Sequence, residues 1–434
     1  TMTSMNPKSL SLLAQSSERT AISGYHILFW SGLTYQFLAL FNLSFLPATW
    51  GGLFSLCAAF FGLTLLGLHS EKQKERNHQP LYQTQSKSKK LSPIVIASIL
   101  TLFYTLLYLK PQWLGLSAGG ENNTGLIALY DGLSIFLKRK PASEWFVYGV
   151  LYTMVILSMG IRFIYKFRHN PYQVYRTFSI VFFQLCFAFL IPEILQSLNK
   201  PYVDFKNFWP LQYYFYFDWN IHQLLSSGRF GIFVLIWGTL GFLVITPILT
   251  YYFGKRWYCS WVCGCGGLAE TAGDSLRSLS VKSIKAWQWE RALIYTILAF
   301  VIVMTILVLI TNTTGYLSSI SYPLSHYYGL LIGAVFSGIV GVGFYPLLGA
   351  RIWCRYGCPM AAYLGILQKH FSRFRITTNH GQCISCGNCS TYCEMGIDVK
   401  SYAQRGADIK RASCVGCGIC SAVCPRGVLR LENK

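Results

Sequence analysis

The chain has 434 residues, 53% of them hydrophobic and 12% charged, with a mean hydropathy of +0.39. These values exceed ordinary soluble usage and indicate an integral membrane protein. The formal net charge of +21 in such a chain serves orientation and contact with anionic lipid, and nucleic acid is not the expected partner. The first twenty residues are polar and do not read as a cleaved signal peptide.

Eight apolar stretches approach the ~20 residues needed to cross a ~30 Å hydrocarbon core. They lie near 22–46, 50–69, 92–109, 145–166, 177–197, 229–252, 290–312 and 327–350. The polar, basic segment Glu71–Lys90 is expected to be a solvated loop or linker. Stretch 125–137 is too short to span and contains Asp131, so it reads as an interfacial or re-entrant helix. Glu193 falls late in a span, where a carboxylate is costly; snorkelling to the interface is the expectation, and accepting a quinol proton the functional alternative. Ten aromatic residues between Tyr202 and Trp219 are expected to form an aromatic belt at the membrane surface, with a docking surface or quinone pocket wall as the alternative. Segment 275–289 is amphipathic and basic, as for a helix lying on the inner membrane surface. His26, His69, His169, His222 and His326 do not pair on one span at a spacing that would clamp a haem, so no haem is expected. A GxxxxGK[ST] loop, a dinucleotide fingerprint and a CxxCH motif are all lacking from the sequence.

With a cytoplasmic amino terminus, the short cytoplasmic segments between spans carry 18 Lys and Arg, against 7 in the external loops. The positive-inside bias therefore predicts that orientation, and an even number of spans places the carboxy terminus in the cytoplasm as well. The fifteen cysteines are spaced for thiolates rather than disulfides, which implies a reducing face and agrees with this placement.

Four cysteines follow two spans directly. Cys259-x3-Cys263 lies in KRWYCSWVCGCGG, and Cys354-x3-Cys358-Pro359 in ARIWCRYGCPM. Each pair sits at i, i+4, which would put both sulfurs on one side of a helical turn. The four thiols can supply another iron–sulfur centre, form a redox dithiol or bind a soft metal ion. Nearby Cys265 can replace one of them, and Arg256, Arg351 and Arg355 suit an anionic centre better than an apolar core. Cys57 and Cys186 lie within apolar spans and read as core thiols.

The last fifty residues hold Cys383-x2-Cys386-x2-Cys389-x3-Cys393 and then Cys414-x2-Cys417-x2-Cys420-x3-Cys424-Pro425. This is the bacterial ferredoxin spacing written twice, in which the fourth cysteine of each run ligates the other cluster. Cys383, Cys386, Cys389 and Cys424 are thus expected to hold one 4Fe–4S cluster, and Cys414, Cys417, Cys420 and Cys393 the second. The expected architecture is a multi-span α-helical membrane protein ending in a bacterial-type two-cluster ferredoxin domain of α+β class. Its divisions are an amino-terminal transmembrane region (1–228), a transmembrane core with the span-end cysteines (229–358) and a cytoplasmic ferredoxin domain (359–434).

Two span-end Cys-x3-Cys motifs followed by a two-cluster tail resemble the NapH/NosR-type membrane ferredoxins, over residues 229 to 434. The resemblance implies an electron-transfer subunit of an oxidoreductase in a bacterial inner membrane. Such a subunit would exchange electrons between a quinol pool or cytoplasmic donor and a respiratory partner complex or soluble carrier. The alternative it implies is a factor that reduces metal ions or thiols while a respiratory metalloenzyme is assembled. Cys263-Gly264-Cys265 departs from the Cys-Pro of the family pattern, and Cys393 is followed by Glu394 rather than Pro. Nothing in the chain is long and soluble enough to be the flavin-binding domain of NosR-like members, so no flavin is expected.

Overall fold

The structure, a computed structural model, describes residues 7–43, 45–78, 80–81, 91–117, 122–316, 318–379 and 381–433. Seven of the described helices are long and apolar enough to cross a membrane: Ala48–Arg76, Ser92–Leu109, Glu144–Lys166, Pro171–Ser197, Arg229–Phe253, Ile284–Thr314 and Ser318–Gly343. The remaining expected stretch, 22–46, is helical as far as Ala39, in Pro7–Ala39. Tyr25, His26 and Gln36 dilute its apolar run, so it falls outside those seven. The chain forms two compact units, residues 1–80 with 111–166 and residues 81–110 with 167–434.

In the first unit, small residues let helices touch. A Cβ on Gly32 would lie 2.6 Å from the Ser55 carbonyl, and one on Gly62 would lie 2.5 Å from the Phe29 nitrogen. Close approach through small residues drives helix association where lipid leaves no hydrophobic gradient between helices. Thr64 donates to Ser158 at 2.9 Å, tying Ala48–Arg76 to Glu144–Lys166. The expected loop at 71–90 begins later than its composition suggests, because residues 71–76 continue the helix. Glu71 is buried and paired with Arg162 at 2.6 Å and Lys74 at 3.0 Å; residues 82–90 lie outside the described residues. Stretch 125–137 forms two short helices, Gly125–Ala128 and Asp131–Lys138, instead of one interfacial helix. Leu126, Ile127, Leu129 and Tyr130 are buried at the break, and Asp131 accepts from Asn123 and from the Ala142 amide.

The second unit carries all the span-end and tail cysteines. Its spans are interrupted by π-helical turns at Phe183–Leu190, Gly241–Ile245 and Gly329–Val340. Such turns release the regular backbone ladder and recur at functional sites. The aromatic segment after Pro171–Ser197 does not form a surface belt. Phe208, Phe215 and Phe217 are buried. Trp209 donates to Thr305 at 3.0 Å and stacks edge-on against Phe242, so the segment folds back between spans. Gly238 and Gly241 make room for Phe215 and Phe208, since a Cβ at either would lie 2.2 Å from the facing ring. Segment 275–289 likewise is not one surface helix. A 3-10 turn at Ala272–Leu279 buries Arg277, and the chain is extended at Ser280 before the span begins at Ile284. Glu193 is buried, so it does not snorkel.

The tail is small and mixed. Strand β1 (Phe374–Thr378) pairs antiparallel with β2 (Leu429–Asn433), Ile376 opposite Leu431. Three short helices, Asn388–Thr391, Val399–Arg405 and Ile419–Ala422, lie between the strands.

Replacing Arg162 with Met removes the closer partner of the buried Glu71 carboxylate, leaving Lys74, and is expected to lower stability by about 1–3 kcal/mol. Adding Glu71→Leu should recover most of that loss. Thermal unfolding of the two variants in detergent checks the pair; equal losses in the single and double variants would contradict it.

Candidate metal centres

In the tail, Cys383, Cys386, Cys389 and Cys424 line one cavity of about 360 Å³, measured to its open mouth. Cys393, Cys414, Cys417 and Cys420 line another of about 370 Å³. These are the two crossed quartets read from the spacing. Local backbone produces them: Gly387 and Gly418, each between the second and third cysteine of its run, hold φ of 82° and 73°. That left-handed conformation is costly for any residue with a Cβ, and it turns the chain so that Cys389 and Cys420 enter short helices. Four sulfurs around a chamber of this size, with no carboxylate or histidine among the described residues that line it, fit the thiolate donor set of a 4Fe–4S cluster. The second quartet also fits, although Glu394 lines its chamber. Cys386 is exposed while Cys414 and Cys420 are buried, so the first chamber lies nearer the surface.

The span-end thiols also converge, but not on a helical turn. Cys259 lies in the short helix Trp257–Trp261 and Cys354 in the π-helical turn Trp353–Gly357. Cys263 and Cys358 have extended backbones and each starts a new helix, Gly264–Thr271 and Pro359–Phe371. The same break therefore occurs at both motifs, although one has Pro after its second cysteine and the other Gly. Cys259, Cys263 and Cys358 pack in one buried cluster, with Cys265 against it. Cys354 acts electrostatically on Cys259, Cys265 and Cys358. The Cys265 thiol donates to Cys263 and, against the cost of burial, Lys206 and two amides help hold the Cys263 thiol down to about 6. Burial pushes the Cys259, Cys354 and Cys358 thiols up. Soft ligands in a water-poor pocket with cations nearby fit an anionic iron–sulfur group, whose binding removes the thiol protons.

Two features near these thiols escaped the sequence reading. The first is Lys206, in the returning aromatic segment. It is buried, pairs with Asp204 at 3.0 Å and lies close enough to Cys263 and Cys265 to interact with both. Asn207 beside it accepts from Tyr258 at 2.9 Å. The second is a set of six buried charges. Arg351 donates through Nη2 to Glu270 at 2.6 Å and Glu394 at 2.8 Å, and through Nη1 to the Cys259 carbonyl at 3.3 Å and the Cys354 sulfur at 3.8 Å. Arg277 reaches Glu394, Glu270 and Asp274 at 2.7–2.8 Å, and Arg176 pairs with Glu270 at 2.7 Å. Burial acts to raise the Glu270 carboxyl, but Arg176, Arg277 and Arg351 outweigh it and hold it well below the usual carboxylate range. Burial prevails at Glu394, whose carboxyl is raised. Of this set the sequence singled out only Arg351, through its place beside the span-end cysteines. Backbone contacts fasten the tail to the same region: Gln173 donates to the Cys417 carbonyl, Tyr172 to Gly416, Ser260 to Val415 and Arg256 to Ala412, all at 2.7–3.0 Å.

Two family descriptions match the chain. A 4Fe-4S dicluster domain covers residues 382–429, and a 4Fe-4S binding domain covers residues 235–283 and 329–377, which include both span-end motifs. YccM of Escherichia coli (strain K12), named for electron transport, is 27% identical over 186 residues, 38% of this chain and 47% of the relative. MauN of Methylobacillus flagellatus, a methylamine utilization ferredoxin-type protein, is 27% identical over 177 residues, 39% of this chain and 58% of the relative. An uncharacterized protein of Methanocaldococcus jannaschii is 32% identical over 167 residues, 36% of this chain and 66% of the relative. The matched region thus spans about half the length of the first two relatives. No solved structure matches. The chain is a multi-pass membrane protein with two kinds of 4Fe–4S binding domain. These matches support a family of membrane-associated, polyferredoxin-like proteins of the NapH/NosR type.

Gly266 leaves no room for a side chain, since a Cβ there would lie 1.8 Å from the Cys259 carbonyl. Gly266→Ala should cost about 1–3 kcal/mol and open the Cys259–Cys263 turn. In metal-free protein, mass spectrometry after maleimide treatment should find Cys259 labelled in the variant and protected in the parent. Equal protection would mean that the turn absorbs the methyl group.

Proposed function

We propose that the protein is a membrane-bound iron–sulfur electron carrier that exchanges electrons between a quinol pool or a cytoplasmic donor and a respiratory partner complex. It would lie in a bacterial inner membrane with both termini in the cytoplasm. Cys383, Cys386, Cys389 and Cys424 hold one 4Fe–4S cluster, and Cys414, Cys417, Cys420 and Cys393 a second. Cys259, Cys263, Cys354 and Cys358 hold a third iron–sulfur centre at the membrane boundary. The observation that carries this reading is the meeting of three thiol sets in one compact unit, with the span-end set facing buried guanidinium groups. Each cluster, when bound, supplies one-electron transfer without making or breaking a bond to substrate.

The chain's own residues do the rest. Arg256 and Arg351 crowd the span-end sulfurs and stabilise negative charge there. Lys206 and Asp204 bring a paired charge to the membrane side of the same thiols. Charged residues at such depth mark ion or substrate paths in membrane proteins. The returning aromatic segment gives that side an apolar wall suited to a lipid-soluble quinone. At the far end, exposed Cys386 sits beside Lys400 and Arg426, which line the same chamber. From Arg351 onward there are 12 Lys and Arg against 4 acids, a balance that favours an acidic redox partner.

A second reading, a redox factor that reduces metal ions or thiols for a respiratory metalloenzyme, is favoured by the fifth thiol, Cys265, hydrogen-bonded to Cys263. Reduction of the clusters by a quinol in purified protein supports the first reading; metal-dependent loss of a partner oxidase on deletion, without quinol turnover, supports the second.

Anaerobically purified protein should carry about twelve irons per chain, falling to about eight in Cys354→Ser, as three four-iron clusters require. Eight in both would remove the span-end centre. Cys420→Ser should separately lose one tail cluster, and an unchanged iron content and spectrum would overturn the tail ligation scheme.

A further inference from the structure

The guanidinium of Arg351 touches both a span-end sulfur and the surroundings of a tail quartet. Its Nη1 faces the Cys354 sulfur and the Cys259 carbonyl. Its Nη2 binds Glu270 and Glu394. Glu394 directly follows Cys393, and one oxygen each of Glu270 and Glu394 lies within 4.8 Å of the Cys417 sulfur. The two carboxylates and this sulfur are not free to bind a further metal ion. Each of the four carboxylate oxygens already accepts from Arg351 or Arg277.

The side chains of Arg176, Arg277, Arg351, Glu270, Glu394 and Asp274 are at most 2% exposed. Water therefore screens them little, and a unit change in charge at one end is felt at the other. Stability does not account for the arrangement, because a buried ion network is often matched by apolar residues of similar volume. Arginine is suited to the position: its charge is permanent and its planar fork holds several donors in fixed directions.

We propose that Arg351 is a positioning residue that couples the span-end centre electrostatically to the tail cluster held by Cys414, Cys417, Cys420 and Cys393. One electron entering either centre adds one negative charge, with no proton or leaving group required. The fixed positive charge stabilises that reduced form at both centres, while the Glu394 carboxylate opposes it. The potentials of the two centres are therefore tied to one shared field, set by the Arg351 charge and its Glu394 partner.

This inference rests on the span-end thiols holding a cluster, so iron is counted first in the parent. Eight irons would sink that reading itself. With twelve present, the inference is tested by dithionite titration with mediators, followed by electron paramagnetic resonance of the full-length protein in detergent. Arg351→Gln should move the span-end centre and the Cys417-ligated cluster to lower potential, Glu394→Gln should move them higher, and Arg351→Lys should stay near the parent. Opposite shifts are the signature of charge; a merely structural role would give same-sign shifts or none. Full-iron variants that titrate like the parent, or that shift together, overturn the inference. If Arg351→Gln does not retain iron, Glu394→Gln alone decides: a raised potential upholds the coupling and an unchanged one refutes it.

Discussion

A plane of guanidinium charge, shut away from water and wedged between carboxylates and sulfur, governs this molecule. Each ion taken out of water costs several kcal/mol even after relaxation, so Arg176, Arg277 and Arg351 can be buried only where their partners are already in place. Those partners come from distant stretches of chain: Glu270 and Asp274 after one span-end motif, Glu394 from the tail. Satisfying the arginines therefore obliges the tail to meet the span ends. The same requirement explains why residues 275–279 turn inward although their composition reads as a membrane-surface helix. Arg277 finds three carboxylates there, a better environment than a headgroup layer offers.

The spans give way around this centre. Three of them carry π-helical turns, and glycine faces accept aromatic rings from the returning segment after Ser197. Irregular backbone at membrane depth is tolerated only where protein or a polar cavity satisfies it. Trp237 shows how, donating to the Phe205 carbonyl, while Trp209 donates to the Thr305 side chain and Tyr258 to the Asn207 side chain. The aromatic crowding is thus packing material that brings Lys206 and Asp204 toward the thiols. The span-end site has a polar side made by this returning segment as well as one that faces the tail.

The two halves of the tail repeat one solution to a local problem. Three sulfurs must face one point from a chain that rises several ångströms per residue, and left-handed residues between successive cysteines achieve this: Ser385 and Gly416 between the first and second, and Gly387 and Gly418 between the second and third. The span-end motifs solve a related problem with a helix break instead, at Val262 and Gly357. There the second cysteine of each pair sits at a helix amino terminus, where backbone amides favour a thiolate.

The sequence alone determined whatever depends on short-range spacing or bulk composition. The cysteine runs read directly as two crossed quartets because the distances a cluster spans are set by two or three residues of chain. The apolar stretches read as spans because length against bilayer thickness is a local quantity. Tertiary structure decided the rest. Whether Glu71 begins a loop or extends a helix depended on Arg162, 91 residues away. Whether the Tyr202–Trp219 aromatics coat a surface or fill an interior depended on glycines in the next span. Apart from Arg351, the buried charges were not legible for the same reason: an Arg or Glu looks solvated until partners such as Glu270 and Glu394, many of them scores of residues distant, are packed against it.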